Sequence, residues 1–336
     1  MKALRMTQYG DIETSLAFQE MAIPQPADNE ILVKVHAASI NPIDSKILRG
    51  DFKALKKIEF PAGIGRDVSG EVIGVGIKVT EYQIGDDIFA RVSEEHVGTL
   101  AEFMLIDAAH VAKKPQNLSY QEAASIPLVG LTSYQAMLQI GMLKQGEKVL
   151  IHAGSGGIGS MAIQLAKSVG AYVITTTSTA NVPWVKALGA DRVIDYKKTD
   201  YLDLLTGIDL VYDTLGGQYT LDAFKVIKLG GRVVSIAGEL DPQTTKMLGL
   251  NWVIRTLLGF KSRMIMKAAK KKSALYRMVL MQANGEQLKE LKALYQDNVI
   301  QPVIDKHYAF KDSKSALSYL NSGRAKGKVV ISLLND

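Results

Sequence analysis

The sequence predicts an α/β protein that joins an all-β domain to a doubly wound parallel sheet. Short apolar runs at strand spacing, separated by glycine and charged turns, fill the first 120 residues. From there on, buried-type strands alternate with helical patterns, which is typical of a parallel sheet covered by helices on both faces. The length of 336 residues also suits two domains, at a prior of roughly 150 residues each.

Composition and charge narrow the class of protein. Hydrophobic residues make up 47% and charged residues 22% of the chain, which excludes disorder as its main character. A net charge of +6 permits anionic ligands such as nucleotides or nucleic acid without choosing among them. The absence of cysteine excludes disulfides and thiol nucleophiles. Because no stretch has the apolar character of a signal peptide or a membrane span, we expect a cytoplasmic protein.

The all-β region contains an alternating pattern from residue 31 to residue 37. This pattern predicts a half-buried strand whose apolar side chains point inward. Those side chains are Ile31, Val33, Val35 and Ala37. Further strands are predicted at residues 68–75, 87–92 and 100–106. The spacing suits a small barrel or sandwich that ends near residue 119.

The α/β region begins with a continuous apolar strand at residues 149–153, followed by a glycine turn and an amphipathic helix. Gly170 is expected to end that helix in the left-handed conformation. Further buried strands are predicted at residues 172–177, 192–195, 210–213 and 232–237. The stretch 241–283 is basic and methionine-rich and shows no clear pattern. Helices at 285–297 and 312–322 and a strand at 328–333 are predicted to complete the chain.

Residues 154–159 read Gly-Ser-Gly-Gly-Ile-Gly, a complete GxGxxG motif. Because it follows a predicted strand and opens a helix, it indicates a dinucleotide site rather than an ordinary glycine-rich turn. Gly154 would allow the tight turn, Gly156 the approach of a pyrophosphate, and Gly159 close packing of helix and strand. The helix N-terminus would offer free N–H groups to the phosphates.

A weaker alternative for the same turn is a hydrolase. Ser155 lies between small residues, as the nucleophile of such an enzyme would. However, His307 is the only histidine that follows it, so the partner base has almost no candidate.

The loop after the next strand favours NADP(H) over NAD(H). A carboxylate about 20 residues after the glycines would bind the ribose 2′-hydroxyl of NAD. The stretch 174–181 contains hydroxyls and an amide but no acid, so a 2′-phosphate would meet no charge repulsion there.

Several motifs along the chain are similar to those of one family. They lie at residues 41–44 (Asn-Pro-Ile-Asp), 65–72 (Gly-Arg-Asp-Val-Ser-Gly-Glu-Val), 126–134, 146–167, 188–196, 213–217 and 327–330. On these motifs the chain resembles the zinc-independent quinone oxidoreductase and zeta-crystallin branch of the medium-chain dehydrogenases/reductases, and residues 41–46 look most like the enone/alkenal reductases. The resemblance implies a homodimer with a GroES-like β-barrel domain at residues 1–123 and 284–336, and a Rossmann domain at 124–283.

The resemblance also implies which residues bind NADP(H). Ser178, Asn181, Tyr196 and Arg324 would surround the 2′-phosphate, and Thr132 would face the nicotinamide. The complete implied set is Asn41, Thr132, Gly154, Ser155, Gly156, Gly157, Ile158, Gly159, Ser178, Asn181, Tyr196, Leu215, Gly238 and Arg324.

No metal is expected. Where zinc-dependent relatives carry a cysteine and a Gly-His-Glu turn, this sequence has Asn41 and Gly65-Arg66-Asp67, and asparagine and arginine cannot replace thiolate and imidazole as ligands. Hydride would therefore pass from NADPH to a quinone, or to the β-carbon of an enone, without a metal. The candidate donors to the carbonyl oxygen are Asn41, Lys46 and Arg66.

A different class of function remains open, namely a non-catalytic NADPH-binding protein with RNA affinity. The net charge of +6 allows it. Since no aromatic-rich platform for RNA is visible, nucleic acid is not the expected partner.

Overall fold

The structure is a computed structural model that describes residues 1–53 and 57–333, and it divides into two compact units. The first unit comprises Met1–Leu131 and Gln282–Asp336, and the second comprises Thr132–Met281. For comparison, the sequence places the domain limits at 123/124 and 283/284.

Strands and helices alternate in the second unit, whereas strands dominate the first. In chain order the strands are β1 (Lys2–Met6), β2 (Leu16–Glu20), β3 (Glu30–Ile40), β4 (Ala62–Gly63), β5 (Asp67–Val75), β6 (Asp87–Arg91), β7 (Phe103–Asp107), β8 (Val111–Lys113), β9 (Lys148–Ile151), β10 (Tyr172–Thr177), β11 (Arg192–Asp195), β12 (Ile208–Asp213), β13 (Ile227–Ser235), β14 (Leu275–Met278), β15 (Ile304–Ala309) and β16 (Lys328–Ser332). The α-helices are α1 (Ile12–Ser15), α2 (Pro42–Arg49), α3 (Tyr120–Ala124), α4 (Pro127–Ser133), α5 (Gly157–Ser168), α6 (Val182–Ala187), α7 (Gln218–Val226), α8 (Pro242–Met247), α9 (Trp252–Lys271), α10 (Gly285–Gln296) and α11 (Ser313–Asn321). A π-helical segment, Tyr134–Ile140, follows α4.

The first unit contains a three-stranded sheet in the order β2-β1-β4 and a larger sheet in the order β15-β16-β3-β5-β6-β8, with β7 also paired to β3. The strand β3 is central, and every residue of it except Lys34 is at least partly buried. The predicted half-buried alternation is therefore wrong. Helix α3 packs on the face expected to be solvated, and the ring of Tyr120 lies 4.1 Å from that of His36.

The second unit is built on one parallel sheet in the order β11-β10-β9-β12-β13-β14. Counted from its first strand this is the order 3-2-1-4-5-6, that of a doubly wound dinucleotide-binding fold. Strands β10 and β11 occupy the residues that the sequence predicts for them. Helix α5 follows β9, and Gly170 beyond its end has a φ of +78°, which confirms the predicted left-handed cap.

The stretch without a sequence pattern contains α8, α9 and β14. Helix α9 is 20 residues long and buries only Ser262, Ile265 and Ala269. Among the residues that the structure describes, no helix is long and apolar enough to cross a membrane.

Candidate active site

The turn between β9 and α5 is shaped by two glycines that have no room for a side chain. A Cβ on Gly159 would lie 2.2 Å from the carbonyl oxygen of Ala153, and a Cβ on Gly154 would lie 2.3 Å from Oγ1 of Thr175. In contrast, a Cβ on Gly156 would meet its nearest neighbour only at 3.5 Å. The turn is therefore closed on the protein side and open at Gly156, where a ligand's phosphates can approach the backbone.

The left-handed residue of this turn is Ala153, with a φ of +53°, and not Gly154 as the motif suggests. Gly154 is required because of its contact with β10, whereas Ala153 makes the bend. The carbonyl of Ala153 accepts a hydrogen bond from the N–H of Gly156 at 3.0 Å. A left-handed alanine costs on the order of 1 kcal/mol, and the close packing around it keeps it in place.

Helix α5 begins with backbone N–H groups that no side chain caps among the residues the structure describes. The N–H groups of a first helical turn also have no intrahelical partner. These groups belong to Gly157, Ile158 and Gly159. Together with the helix dipole they form a site for a phosphate or pyrophosphate.

A buried pair lies directly before the turn. Nδ1 of His152 is 3.1 Å from Oδ1 of Asp213, and both side chains have no exposed area. Although burial opposes its ionisation, hydrogen bonds from His152 and Thr220 hold the pKa of Asp213 well below its usual range. The second nitrogen of His152, Nε2, has no hydrogen-bond partner among the described residues. It therefore does not activate Ser155, and the turn lacks the base that a hydrolase needs.

The same carboxylate holds two of the loops that carry implied cofactor residues. Oδ1 of Asp213 accepts hydrogen bonds from the backbone N–H of Leu215 and of Gly216, each at 3.0 Å. Oδ2 accepts one from Ser235 at 2.8 Å, and the Ser235 hydroxyl in turn accepts one from the N–H of Gly238 at 2.8 Å. Leu215 remains 43% exposed, so it is available to a ligand.

The carboxyl ends of β10 and β11 bring Ser178 and Tyr196 near each other, since Thr177 pairs with Asp195. Asn181 donates a hydrogen bond to Ser178 at 3.2 Å, and Tyr196 is 59% exposed. The three threonines before Ser178 are buried. Thr175 donates to the carbonyl of Ile151 at 2.7 Å, so the hydroxyls of this stretch that solvent or a ligand can reach begin at Ser178, which is half-buried.

Sequence reasoning missed three charged residues beside this loop. Asp195 ends β11, and a hydrogen bond from Thr179 lowers its pKa. Its carboxylate accepts a hydrogen bond from the N–H of Lys197 at 3.1 Å and lies 3.8 Å from Nζ of Lys198. The acid is thus paired with a cation. These charges lie on the loop after β11, and only the pairing of Thr177 with Asp195 places that loop beside the loop after β10.

Two further implied residues belong to other segments of the chain. Thr132 is buried and is the first residue of the second unit. Arg324 follows α11 in the first unit and is exposed.

In the first unit, Asn41 belongs to a buried polar cluster at the start of α2. Its amide nitrogen donates to Oδ2 of Asp67 at 2.8 Å, and its amide oxygen accepts a hydrogen bond from Nζ of Lys328. Lys328 also contacts Oδ2 of Asp67 at 3.0 Å, and Ser39 donates to the same oxygen at 2.9 Å. Both atoms of the Asn41 amide are thus engaged, and Lys328 is a partner that the sequence did not reveal.

Arg66 is the centre of a second cluster, and only 3% of its side chain is exposed. It donates to Oδ1 of Asp44 at 2.7 Å and binds both carboxylate oxygens of Glu94, at 3.2 and 3.1 Å. Although burial opposes it, hydrogen bonds from Arg66 and the charges of Arg66 and Arg91 lower the pKa of Glu94 to about 2. Since a guanidinium has five N–H groups, Arg66 keeps donors beyond these three bonds.

Arg66 borders a cavity of about 690 Å³ that lies within the first unit. Most of its exposed wall is apolar, and seven charged residues also line it: Asp44, Lys53, Lys57, Glu59, Arg66, Glu94 and Glu95. The apolar lining includes Met6, Tyr9, Ile43, Ile47, Phe52, Ile58, Ile64 and Val97. This volume is ordinary for a small-molecule site.

Lys46 does not line this cavity. It is an exposed residue of α2, and its side chain makes no hydrogen bond or ion pair with the part of the chain that the structure describes. Of the three candidate donors, the structure therefore places only Arg66 at the cavity.

Comparison with known proteins identifies the family of the chain. Residues 27–116 match the alcohol dehydrogenase GroES-like domain, and residues 188–331 match the family described as zinc-binding dehydrogenase. A 2-methylene-furan-3-one reductase of Solanum lycopersicum is 35% identical over 98% of this chain and 79% of its own. An NADPH-dependent alkenal/one oxidoreductase of Arabidopsis thaliana is 33% identical over the same shares. The chain belongs to the medium-chain dehydrogenase/reductase family.

A solved structure shows that the chain also has the fold of this family. The quinone oxidoreductase from Coxiella burnetii superposes with a TM-score of 0.85, at 33% identity and 99% coverage of both chains. The protein therefore combines the GroES-like domain and the Rossmann-like domain of this family, as the sequence predicts.

The residues at the family's zinc position do not fit a zinc ion. Arg66 is a cation, and the ammonium of Lys328 already contacts the oxygens of Asn41 and Asp67 that a metal would need. Within the described residues, no group of three or more His, Cys, Asp or Glu side chains could hold a metal.

Proposed function

We propose that this protein is an NADPH-dependent oxidoreductase that reduces a quinone, or the C=C bond of an α,β-unsaturated carbonyl, without a metal. The observation that carries the proposal is the similarity, over almost the whole chain, to relatives named for the reduction of alkenals, enones and quinones. The open glycine turn before α5 supports the cofactor part of this proposal.

NADPH, when bound, supplies the hydride for this reaction. The pyrophosphate would rest on the N–H groups of Gly157 and Ile158, with Ser155 and the glycines of the turn around it. The 2′-phosphate would lie at Ser178, Asn181 and Tyr196. Arg324 would supply positive charge, and Lys197 and Lys198 on the neighbouring loop after β11 would add to the field.

The nicotinamide end would be held by Thr132, Leu215, Gly238 and Asn41. Because Asn41 is fixed by Asp67 and Lys328, its role is to hold the start of α2 and to offer its second amide N–H. A rigid contact of this kind needs no rearrangement when the ligand binds.

The cavity at Arg66 would take the acceptor. Its apolar wall suits a quinone ring or an alkenal chain, and the remaining guanidinium N–H groups of Arg66 can donate to the carbonyl oxygen. Negative charge develops on that oxygen when hydride arrives, so a donor already fixed by Asp44 and Glu94 lowers the barrier. The charges of Asp44, Arg66, Glu94 and Arg91 balance, and so do those of the other charged lining residues, Lys53, Lys57, Glu59 and Glu95. This balance favours a neutral carbonyl over a carboxylate.

The direct test is NADPH consumption with a soluble quinone, a short alkenal and a cyclic enone. We expect oxidation of NADPH with at least one class of acceptor. If NADPH binds but no acceptor is reduced, the protein is instead a binding protein, as in the alternative with RNA affinity.

The role of the donors is tested by substitution. Arg66→Met alone would leave Asp44 buried without its partner, so it is combined with Asp44→Asn to keep the charge balanced. We expect kcat to fall by roughly 10²-fold in this pair, the usual scale for one oxyanion donor. The control is Arg91→Met, since Arg91 also binds Glu94 but does not line the cavity.

The variant Lys46→Met tests whether Lys46 donates a hydrogen bond to the substrate carbonyl. If Lys46 reaches the substrate, its kcat falls by a similar factor while NADPH affinity is unchanged. An unaltered kcat excludes Lys46 and leaves Asn41, Arg66 or water as the donor.

Three further features remain proposals. A cytoplasmic location is tested by cell fractionation. A homodimer is tested by light scattering, and its basis is that β14 is an edge strand, which can pair with a second copy. The domain limits at 123/124 and 283/284 are tested by limited proteolysis.

A further inference from the structure

Helix α9 is unusual in how little of it is buried. Of its 20 residues, only Ser262, Ile265 and Ala269 are buried, and all three lie in its second half. The first half, from Trp252 onward, carries exposed side chains of a kind that proteins normally bury. A long helix with a free apolar face generally marks an interaction surface.

The exposed apolar residues form a continuous stripe along α9. Val253, Leu257, Phe260 and Met264 follow one another at helical spacing and are 46%, 65%, 65% and 62% exposed. At 100° per residue they fall within an arc of roughly 60°, on the side away from the buried residues. We call Val253, Leu257, Phe260 and Met264 the apolar stripe. Trp252, which begins the helix, is 77% exposed.

Basic side chains border the apolar stripe. Helix α9 has six lysines or arginines, at positions 255, 261, 263, 267, 270 and 271, and no acidic residue. By the same helical geometry, Arg263, Lys267 and Lys270 lie along one border of the stripe and Lys261 along the other. The guanidinium of Arg263 lies 4.1 Å from the ring centre of Phe260, so the charge and the apolar surface are adjacent.

We propose that α9 docks on the surface of an anionic lipid bilayer, with the apolar stripe in the headgroup region and the bordering cations on lipid phosphates. An apolar stripe of leucine and phenylalanine between basic residues is the composition of helices that lie in the membrane interface. The expected binding does not depend on the proposed function, since it involves neither NADPH nor the cavity at Arg66.

Two other occupants fit this face less well, a second copy because of charge and RNA because of shape. In a symmetric dimer through α9, each helix would meet the same six cations of its partner without an acid to balance them. Single-stranded RNA would satisfy the cations, but its bases stack on aromatic rings in a groove, whereas most of the stripe is aliphatic and lies on a convex helix.

The test is co-sedimentation with vesicles of phosphatidylglycerol and phosphatidylcholine in equal parts, and with vesicles of phosphatidylcholine alone. We expect binding to the anionic vesicles, with a blue shift in emission that Trp252→Phe removes. The triple variant Arg263→Gln, Lys267→Gln, Lys270→Gln should lower the partition coefficient on the order of a hundredfold, at about fivefold per cation. Leu257→Gln with Phe260→Gln should also weaken binding.

Matched controls separate a docking face from overall charge. Lys78→Gln, Lys225→Gln and Lys311→Gln remove the same charge at scattered exposed sites, and Ile77→Gln with Leu229→Gln replaces two apolar residues that are 87% and 73% exposed elsewhere. Both control variants should bind like the original protein. Circular dichroism establishes that each variant folds.

Several results would overturn the proposal. They are an absence of binding to anionic vesicles, an equal loss in the scattered-charge control, or no effect of the stripe substitutions. RNA binding that the α9 triple variant abolishes, or a dimer that the stripe substitutions dissociate, would assign the face to RNA or to a second copy instead.

Discussion

The buried contact between Lys328 and Asp67 allows a quantitative prediction of how much stability the protein loses when the contact is removed. Lys328 is 5% exposed and Asp67 is fully buried, and Nζ lies 3.0 Å from Oδ2. Lys328→Met keeps the length of the side chain and removes its charge, which leaves the Asp67 carboxylate buried without its cation. Removing one partner of a buried pair typically costs about 3–5 kcal/mol.

Three hydrogen bonds remain on the carboxylate in this variant. Ser39 and Asn41 donate to Oδ2, and the backbone N–H of Leu128 donates to Oδ1 at 2.7 Å. These bonds favour the lower end of the range, about 3 kcal/mol. For a unit of this size that corresponds to a Tm lowered by roughly 6–12 °C.

Differential scanning calorimetry measures this change, and an exposed pair provides the control. Nζ of Lys113 also lies 3.0 Å from Asp86, but Lys113 is 48% exposed, so Lys113→Met should cost less than about 1 kcal/mol. Adding Asp67→Asn to Lys328→Met removes the unpaired charge and should recover most of the loss. Equal small shifts for Lys328→Met and Lys113→Met, or no recovery in the double variant, would refute the reasoning from burial.

The remaining predictions concern the cofactor, pH and metal. Arg324→Ala should weaken NADPH binding on the order of tenfold and leave NADH binding unchanged, because charge-assisted hydrogen bonds to phosphate are the strong ones. Lys326→Ala is the control, and equal losses of affinity for both coenzymes would contradict the role of Arg324. The folded-state pKa of Glu94, about 2, lies below its ordinary value, so its stabilising contribution is present at neutral pH and is lost as the pH falls from about 4.5 towards 2. Glu94→Gln should accordingly lower the urea midpoint at neutral pH and approach the original protein in acid, whereas a gap independent of pH would count against the ion pair. Exhaustive chelation should leave NADPH oxidation intact, and stoichiometric zinc lost together with activity would overturn the metal-free reaction.

Local patterns predicted the parts of the fold that local physics controls. The strands β10 and β11, the glycine turn and the cap at Gly170 each follow from a short stretch of sequence with a period or a backbone requirement. The two-sided burial of β3 did not follow, because it depends on α3, which comes some 80 residues later in the chain. Helix α9 was missed for a related reason. Its exposed apolar stripe and its buried apolar residues, Ile265 and Ala269, lie on opposite faces, so together they blur the helical period that the prediction relies on.

The candidate site divides in the same way. The glycines and the residues of the β10 loop belong to contiguous motifs, and the sequence identified them. Lys328 and Asp67 are 261 residues apart, and an isolated lysine in a strand gives no sign of its distant partner. Likewise, the contact of His152 with Asp213 joins two strands that only the folded sheet brings together.

The network around Asp213 has a consequence for engineering coenzyme specificity. The loops that carry Leu215 and Gly238 share one carboxylate, so a substitution in either loop is transmitted to the other and to His152 beneath the glycine turn. The loop at Ser178 and Asn181 is hydrogen-bonded within itself, to Trp184 and, through Thr179, to Asp195. Directed evolution towards NADH should therefore accept changes at residues 178 and 181 independently of the Asp213 network, whereas changes at 213–216 and 235–238 would require compensating pairs.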